Sequence, residues 1–125
     1  MKSLERSVAF FTGLGYTFDP KFTDENATCM IVAKNIFVML LVEPFFQTFT
    51  NKPIADATKA TEVIVCVSED SRAHVDALVD KAIAAGATSP NATQDFGFMY
   101  QRGYVDLDGH VWEVIHMESD GQDEE

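Results

Sequence analysis

Apolar positions recur at helical spacing in two places and alternate or run together in the stretches between. Leu4, Val8, Phe11 and Leu14 form one stripe, with Ser3 placed to cap a helix over Leu4–Leu14 and Gly15 to stop it. Val75, Leu78, Val79, Ala82 and Ile83 form the other. There Ser68-Glu69-Asp70 supplies a cap and an acidic first turn, and Gly86 the stop after Ala85. Between the stripes the period falls to two. Residues 16–22 read as extended, broken at Asp19-Pro20, and residues 23–26 as a turn. Ala27–Ala33 and Ile36–Val42 read as a hairpin across Lys34-Asn35. The second of these is apolar throughout, which predicts burial on both faces. Glu43–Thr50 (EPFFQTFT) reads as a short helix or lid, residues 51–59 as a polar loop, and Thr61–Ser68 as a strand. After the second helix come a loop over Thr88–Asp95, a strand over Phe98–Val105 and a closing β-prone run that follows the turn at residues 106–109 and extends to Met117.

This order repeats. Gly15 and Gly86 lie 71 positions apart, and the same offset sets Leu4 on Val75 and Val8 on Val79. With three more residues in the second copy's loop, Asn35–Leu41 (NIFVMLL) falls on Gly109–Ile115 (GHVWEVI). Each module is a helix followed by three strands, and a further strand, Thr61–Ser68, precedes the second. The matching strand of the first module would fall before Met1. A late start, or completion of that position by another chain, accounts for its absence, and a truncated start is the expectation.

The closing stretch, VDLDGHVWEVIHM, carries the sharpest chemical signal. Asp106-Leu107-Asp108-Gly109 reads as a tight turn in which Gly109 takes the positive φ. Alternation then sends Val111, Glu113, Ile115 and Met117 to one face, and His110, Trp112, Val114 and His116 to the other. A carboxylate in an apolar row is costly to bury without a cation, a metal or hydrogen-bond donors. Arg102 or Tyr100 would serve as structural partners of Glu113. His110, Glu113 and His116 have a spacing that suggests zinc, but a strand turns Glu113 away from both histidines. His110 reads as a turn residue, Trp112 and His116 as packing against a helix, and His74 as exposed. Gly13 and Gly15 end a helix rather than open one, so no phosphate loop is formed.

Composition narrows the function classes. A chain of 125 residues, 46% hydrophobic and 23% charged, is one globular domain. No apolar run reaches the roughly 18–20 residues of a membrane span, and MKSLERS lacks a secretory h-region, so the expected location is cytoplasmic. The net charge of −11 argues against nucleic acid or anionic membrane as partners. Five acids fall within Glu118–Glu125, and residues 119–125 read as a disordered acidic tail after a single domain over 1–118, with module one at 1–50 and module two at 60–118. Cys29 and Cys66 sit in apolar strand runs and read as buried free thiols.

Paired βαβββ modules, a helix ending in Gly-Tyr and a closing DxDGHxWE strand resemble the vicinal oxygen chelate superfamily, which includes glyoxalase I, bleomycin-resistance proteins, fosfomycin-resistance enzymes and extradiol dioxygenases. SLERSVAFFTGLGYTF, NIFVMLLVEPFF and GFMYQRGYVDLDGHVWEV are most similar to bacterial proteins described as lactoylglutathione lyases. The resemblance implies an α+β fold in which two βαβββ modules form curled mixed sheets around a cleft, here without the first strand of module one. It implies a divalent metal (nickel, zinc or manganese) held by one residue from each of four strands. Glu113 matches the last ligand, Glu62 the one on the second module's first strand, and Met39 a position where a thioether serves a hard cation badly. The first reading is therefore a glyoxalase-type lyase or isomerase. Glu113, with Glu62, would assist proton abstraction beside a carbonyl of a small molecule, and Arg102, Met39 and Tyr100 would bind the substrate. Whether Arg102 or Gln101 faces the cleft stays open at this point. The alternative is a metal-free protein of the bleomycin-resistance type that sequesters a small molecule between Met39, Phe45, Phe46, Phe98 and Tyr100. A homodimer is expected under both.

Overall fold

The computed structural model describes residues 1–89 and 92–118; the acidic tail expected over 119–125 lies outside them. Helix α1 (Leu4–Leu14) forms as the stripe predicts. The Ser3 side chain accepts from the Arg6 amide at 3.1 Å, and Gly15, at φ 108°, lets its own amide and that of Tyr16 close back on the carbonyls of Thr12 and Phe11. Strands β1 (Thr17–Asp19), β2 (Ala27–Ala33) and β3 (Ile36–Leu41) follow, with a 3₁₀ turn over Pro20–Phe22 where the Asp19-Pro20 break falls. They form an antiparallel sheet of order β1-β2-β3. The short helix α2 (Glu43–Phe46) and a 3₁₀ turn over Gln47–Phe49 fill the segment expected as a helix or lid.

The second module opens with β4 (Ile64–Ser68) and α3 (Arg72–Ala84), followed by β5 (Gln94–Asp95), β6 (Met99–Val105) and β7 (Val111–Met117). Its sheet has the order β4-β7-β6-β5, with β4 parallel to β7 and the other pairs antiparallel. The βαβββ order is thus complete in module two. In module one, β3 pairs with β2 alone among the described residues, and the edge matching the one where β7 receives β4 carries no strand. The matched carbonyls of Ile115 and Leu41 both accept a hydrogen bond, from donors that the repeat does not pair. The Glu69 amide donates to the Ile115 carbonyl at 2.8 Å, and the Met1 amino group donates to the matching Leu41 carbonyl at 2.9 Å.

Both helices press on the same side of the sheets. Phe10, Phe11 and Leu14 of α1 and Val75, Leu78, Val79 and Ala82 of α3 join Met30, Leu40, Val67, Tyr104, Trp112 and Val114 in one core. Tyr104 and Trp112 stack with ring planes 4° apart and centroids 6.2 Å apart, and Phe11 tilts against Trp112 at 5.2 Å.

Several local expectations are corrected. Helix α3 is capped by Ser71, whose hydroxyl accepts from the His74 amide at 3.0 Å. Ser68 cannot do this because it stays paired with Ile115 in the sheet, and the Glu69 amide is engaged by β7 as well. Strand β4 starts at Ile64, opposite the first residue of β7, so Glu62 lies ahead of it. Ile83 turns outward and is 38% exposed. Strand β3 is not buried on both faces: Ile36, Phe37 and Met39 are each about half exposed, and among the described residues no strand pairs with its outer edge. Cys29 is buried but Cys66 is exposed, on the open face of β4. Both thiols are free.

Candidate functional site

The DxDG turn before β7 anchors the site. Asp106 Oδ1 accepts from the amides of Asp108 and His110 at 2.9 and 3.0 Å, and its Oδ2 accepts from Trp112 Nε1 at 3.0 Å. One buried carboxylate thereby fixes both the turn and the indole. Asp108, also buried, accepts from the Lys2 amide and Arg6 Nη2 on Oδ1 at 3.0 and 2.9 Å, and from Ser7 Oγ on Oδ2 at 3.2 Å. It ties the start of α1 to the turn across the two modules. Gly109 has φ 93°, and a Cβ there would stand 2.8 Å from the backbone of Ala57 and Thr58. The turn is therefore packed hard against the loop that precedes β4. Sequence reasoning treated these aspartates only as turn formers. The signal that could have found them is two carboxylates two residues apart, placed just before the chain's one Trp.

Beside this turn lies a cleft of about 360 Å³. Trp112 and Val65 line it from the second sheet, Val38–Leu41 from β3, Phe46 from α2, and Ile54, Ala55 and Ala57 from the loop. Its polar residues include Lys2, Glu43, Asp56, Glu62, Asp108 and His110. Lys2 Nζ and Glu43 Oε2 are 3.4 Å apart, so these two largely offset each other, whereas Asp56 and Glu62 have no cation within ion-pair distance among the described residues. The Thr58 hydroxyl and amide both donate to Asp56 and hold its carboxyl below the usual range. The polar side of the cleft is thus net acidic.

The structure brings together only some of the residues picked from sequence. Met39 and Phe46 line the cleft, and so does Glu62. Phe45, Phe98, Tyr100, Arg102 and Glu113 do not. Phe45 packs edge-on against Phe49 at 5.3 Å, and Phe98 is exposed. Alternation along β6 puts Tyr100 and Arg102 on the side of the buried Tyr104, facing α3. Tyr100 donates to Asp76 at 2.7 Å, Arg72 lies over its ring at 5.1 Å, and Arg102 Nη1 meets Asp76 and Asp80 at 2.9 and 3.0 Å. Of the two side chains left open, Gln101 therefore shares the face of Glu113, and Arg102 does not. The Tyr100 hydroxyl, with Arg102 beside it, holds the Asp76 carboxyl below its usual range.

Glu113 sits half-buried on the open face, level with Cys66 on β4 and Gly103 on β6. It has no hydrogen bond or ion pair among the described residues. Burial first, and the Glu113 charge second, push the Cys66 thiol up. His110 lines the cleft, while His116 Nδ1 lies 3.0 Å from the Glu69 carbonyl oxygen. Neither histidine meets Glu113. Among the described residues no group of three or more His, Cys, Asp or Glu side chains is placed to hold a metal ion. The donor set does not fit the four-strand metal centre that the resemblance implies. No helix among them is long and apolar enough to cross a membrane.

No protein-family model matches the sequence, and no curated protein is similar to it in sequence. Solved structures are similar to it throughout. A hypothetical protein from S. aureus superposes with a TM-score of 0.79 at 22% identity, over 93% of this chain and 87% of that one. A glyoxalase/bleomycin resistance protein/dioxygenase family enzyme from Burkholderia phytofirmans PsJN gives 0.76 at 17%, over 94% and 92%. A genomically encoded fosfomycin resistance protein from Listeria monocytogenes gives 0.66 at 15%, over 96% and 86%. From its first helix to its closing strand, the chain has the fold of the glyoxalase/bleomycin resistance/dioxygenase proteins.

Proposed function

We propose that the protein binds and sequesters a small molecule with an apolar or aromatic body, without a metal, in the manner of the bleomycin-resistance type. One observation carries this reading: the cleft has a mostly apolar lining that includes Trp112, Val65, Met39 and Phe46, with polar groups beside them. Its size falls in the range of small-molecule sites, and its acidic side favours ligands bearing a polar or cationic end. Association of two copies fits the same picture, since β3 leaves an unpaired edge with Ile36, Phe37 and Met39 exposed along it.

A second reading, a lyase acting beside a carbonyl, is favoured by one feature. Glu113 stands half-buried without a partner among the described residues, as a general base must before it takes a proton. Thermal unfolding separates the two. Under the sequestering reading, nickel, zinc or manganese leaves the Tm of chelator-treated protein unchanged, whereas an amphipathic aromatic such as N-phenyl-1-naphthylamine raises it. A Tm raised by metal alone, together with an isomerase turnover that Glu113→Gln abolishes, would replace this account with the lyase.

A further inference from the structure

A second cavity, of about 420 Å³, lies away from the Trp112 cleft, where the end of α1 and the first sheet meet α3. Its walls include Tyr16 and Thr17 after α1, Ile31 and Val32 of β2, Glu69 at the exit of β4, and His74 and Lys81 of α3. Two opposite charges therefore share one space. They do not neutralise each other: neither the Glu69 carboxylate nor the Lys81 ammonium has a hydrogen bond or ion pair among the described residues. Glu69 precedes the helix and Lys81 lies in its last turn. The nine residue steps from Arg72 to Lys81 span about 13 Å at the usual helical rise. The backbone holding Glu69 is fixed, since its amide donates to Ile115 and its carbonyl oxygen meets His116 Nδ1. Its carboxyl borders the cavity, partly out of water, and burial pushes it up, against the lowering effect of His74. Tyr16 closes the inner wall, with its hydroxyl buried and unpartnered.

A cavity walled by an unpaired carboxylate and an unpaired ammonium is matched by a molecule carrying the reverse pair. A simple anion would meet Glu69, and a simple cation would meet Lys81. We infer that this cavity is a second ligand site, taking a zwitterion of short-peptide size with its ammonium on Glu69 and its carboxylate on Lys81, and with His74 as a further polar contact.

The test is amide chemical-shift mapping of the full chain titrated with glycylglycine. Saturable shifts at Thr17, Ile31, His74 and Lys81 are expected, with little change around Trp112. Glu69→Gln and Lys81→Met should each weaken binding by about tenfold, equivalent to roughly 1.4 kcal/mol, while Glu62→Gln in the other cleft leaves it unchanged. The free spectrum of each variant reports whether it is folded. Absence of saturable shifts in the parent chain would overturn the inference. So would parent-like affinity in either variant, or equally tight binding of ethylammonium or acetate, each carrying one of the two charges alone.

Discussion

Tyr104 shows how a single atom can be at odds with its surroundings. Its ring stacks on Trp112 and is fully buried, yet its hydroxyl has no hydrogen-bond partner among the described residues, and neither has the buried hydroxyl of Tyr16. An unsatisfied buried hydroxyl costs on the order of 1–3 kcal/mol. Tyr104→Phe keeps the stack and removes the orphan, so it should raise stability by about 1 kcal/mol, read as a higher urea midpoint at unchanged slope. A loss of stability would mean that the hydroxyl has a partner. The same burial has a pH signature. Burial first, and the Glu69 charge second, push Tyr16 from 10.0 up to about 12. The unfolded phenol ionises near 10, so between pH 10 and about 12 the unfolded chain holds fewer protons than the folded one. This contribution is complete below pH 10 and is lost as pH rises through that window. Midpoints measured across it should fall less steeply for Tyr16→Phe than for the parent.

At the scale of elements, the parts with strong periodicity were legible. Helix α1 and strand β2 have the predicted bounds, and β7 falls within the run expected after the turn, because Ser3, Gly15, the Lys34-Asn35 turn and Gly109 punctuate them with side-chain and backbone chemistry that acts locally. The errors fall where a distant partner decides. Ser68 looks like a cap but is held as a strand by β7, and Ile36–Val42 reads as doubly buried but has no neighbour on one edge among the described residues. The site was less legible for the same reason. Which of Gln101 and Arg102 faces Glu113 depends on Asp76 and Asp80, more than twenty residues away in sequence. The importance of Asp106 and Asp108 rests on partners at Lys2, Arg6, Ser7 and Trp112. The turn they build is also where a backbone test is sharpest. Gly109→Ala combines a positive φ with a 2.8 Å clash against Ala57 and Thr58, both on backbone atoms that cannot swing away. A destabilisation of at least about 2 kcal/mol is expected. It should come with a shifted Trp112 emission, since the indole is held by the same turn. A neutral substitution would show that the turn and the loop before β4 are not packed together.

Taken whole, the molecule is two modules sharing one core, with β3 and β4 each leaving an outer edge that no strand among the described residues pairs with, beside the same cleft. The repeat could be read from helix stripes, glycines and the match of Asn35–Leu41 to Gly109–Ile115, and the resemblance supplied the fold. The chemistry could not, because the second module's carboxylate position, Glu113, corresponds to Met39 in the first, and the cleft takes Met39 and leaves Glu113 outside. That substitution is what turns the account from a metal-centred lyase toward an apolar binding site. The most direct measurement uses the single Trp of the chain, which lines that cleft. Tryptophan emission is followed while N-phenyl-1-naphthylamine is added to chelator-treated protein, from Trp112 in the parent and from the indole introduced at position 65 in a Val65→Trp,Trp112→Phe variant that fills the cleft. The account predicts saturable quenching in the parent, unaffected by chelator, and none in the filled variant. Quenching that requires added metal, or that persists with the cleft filled, would contradict it.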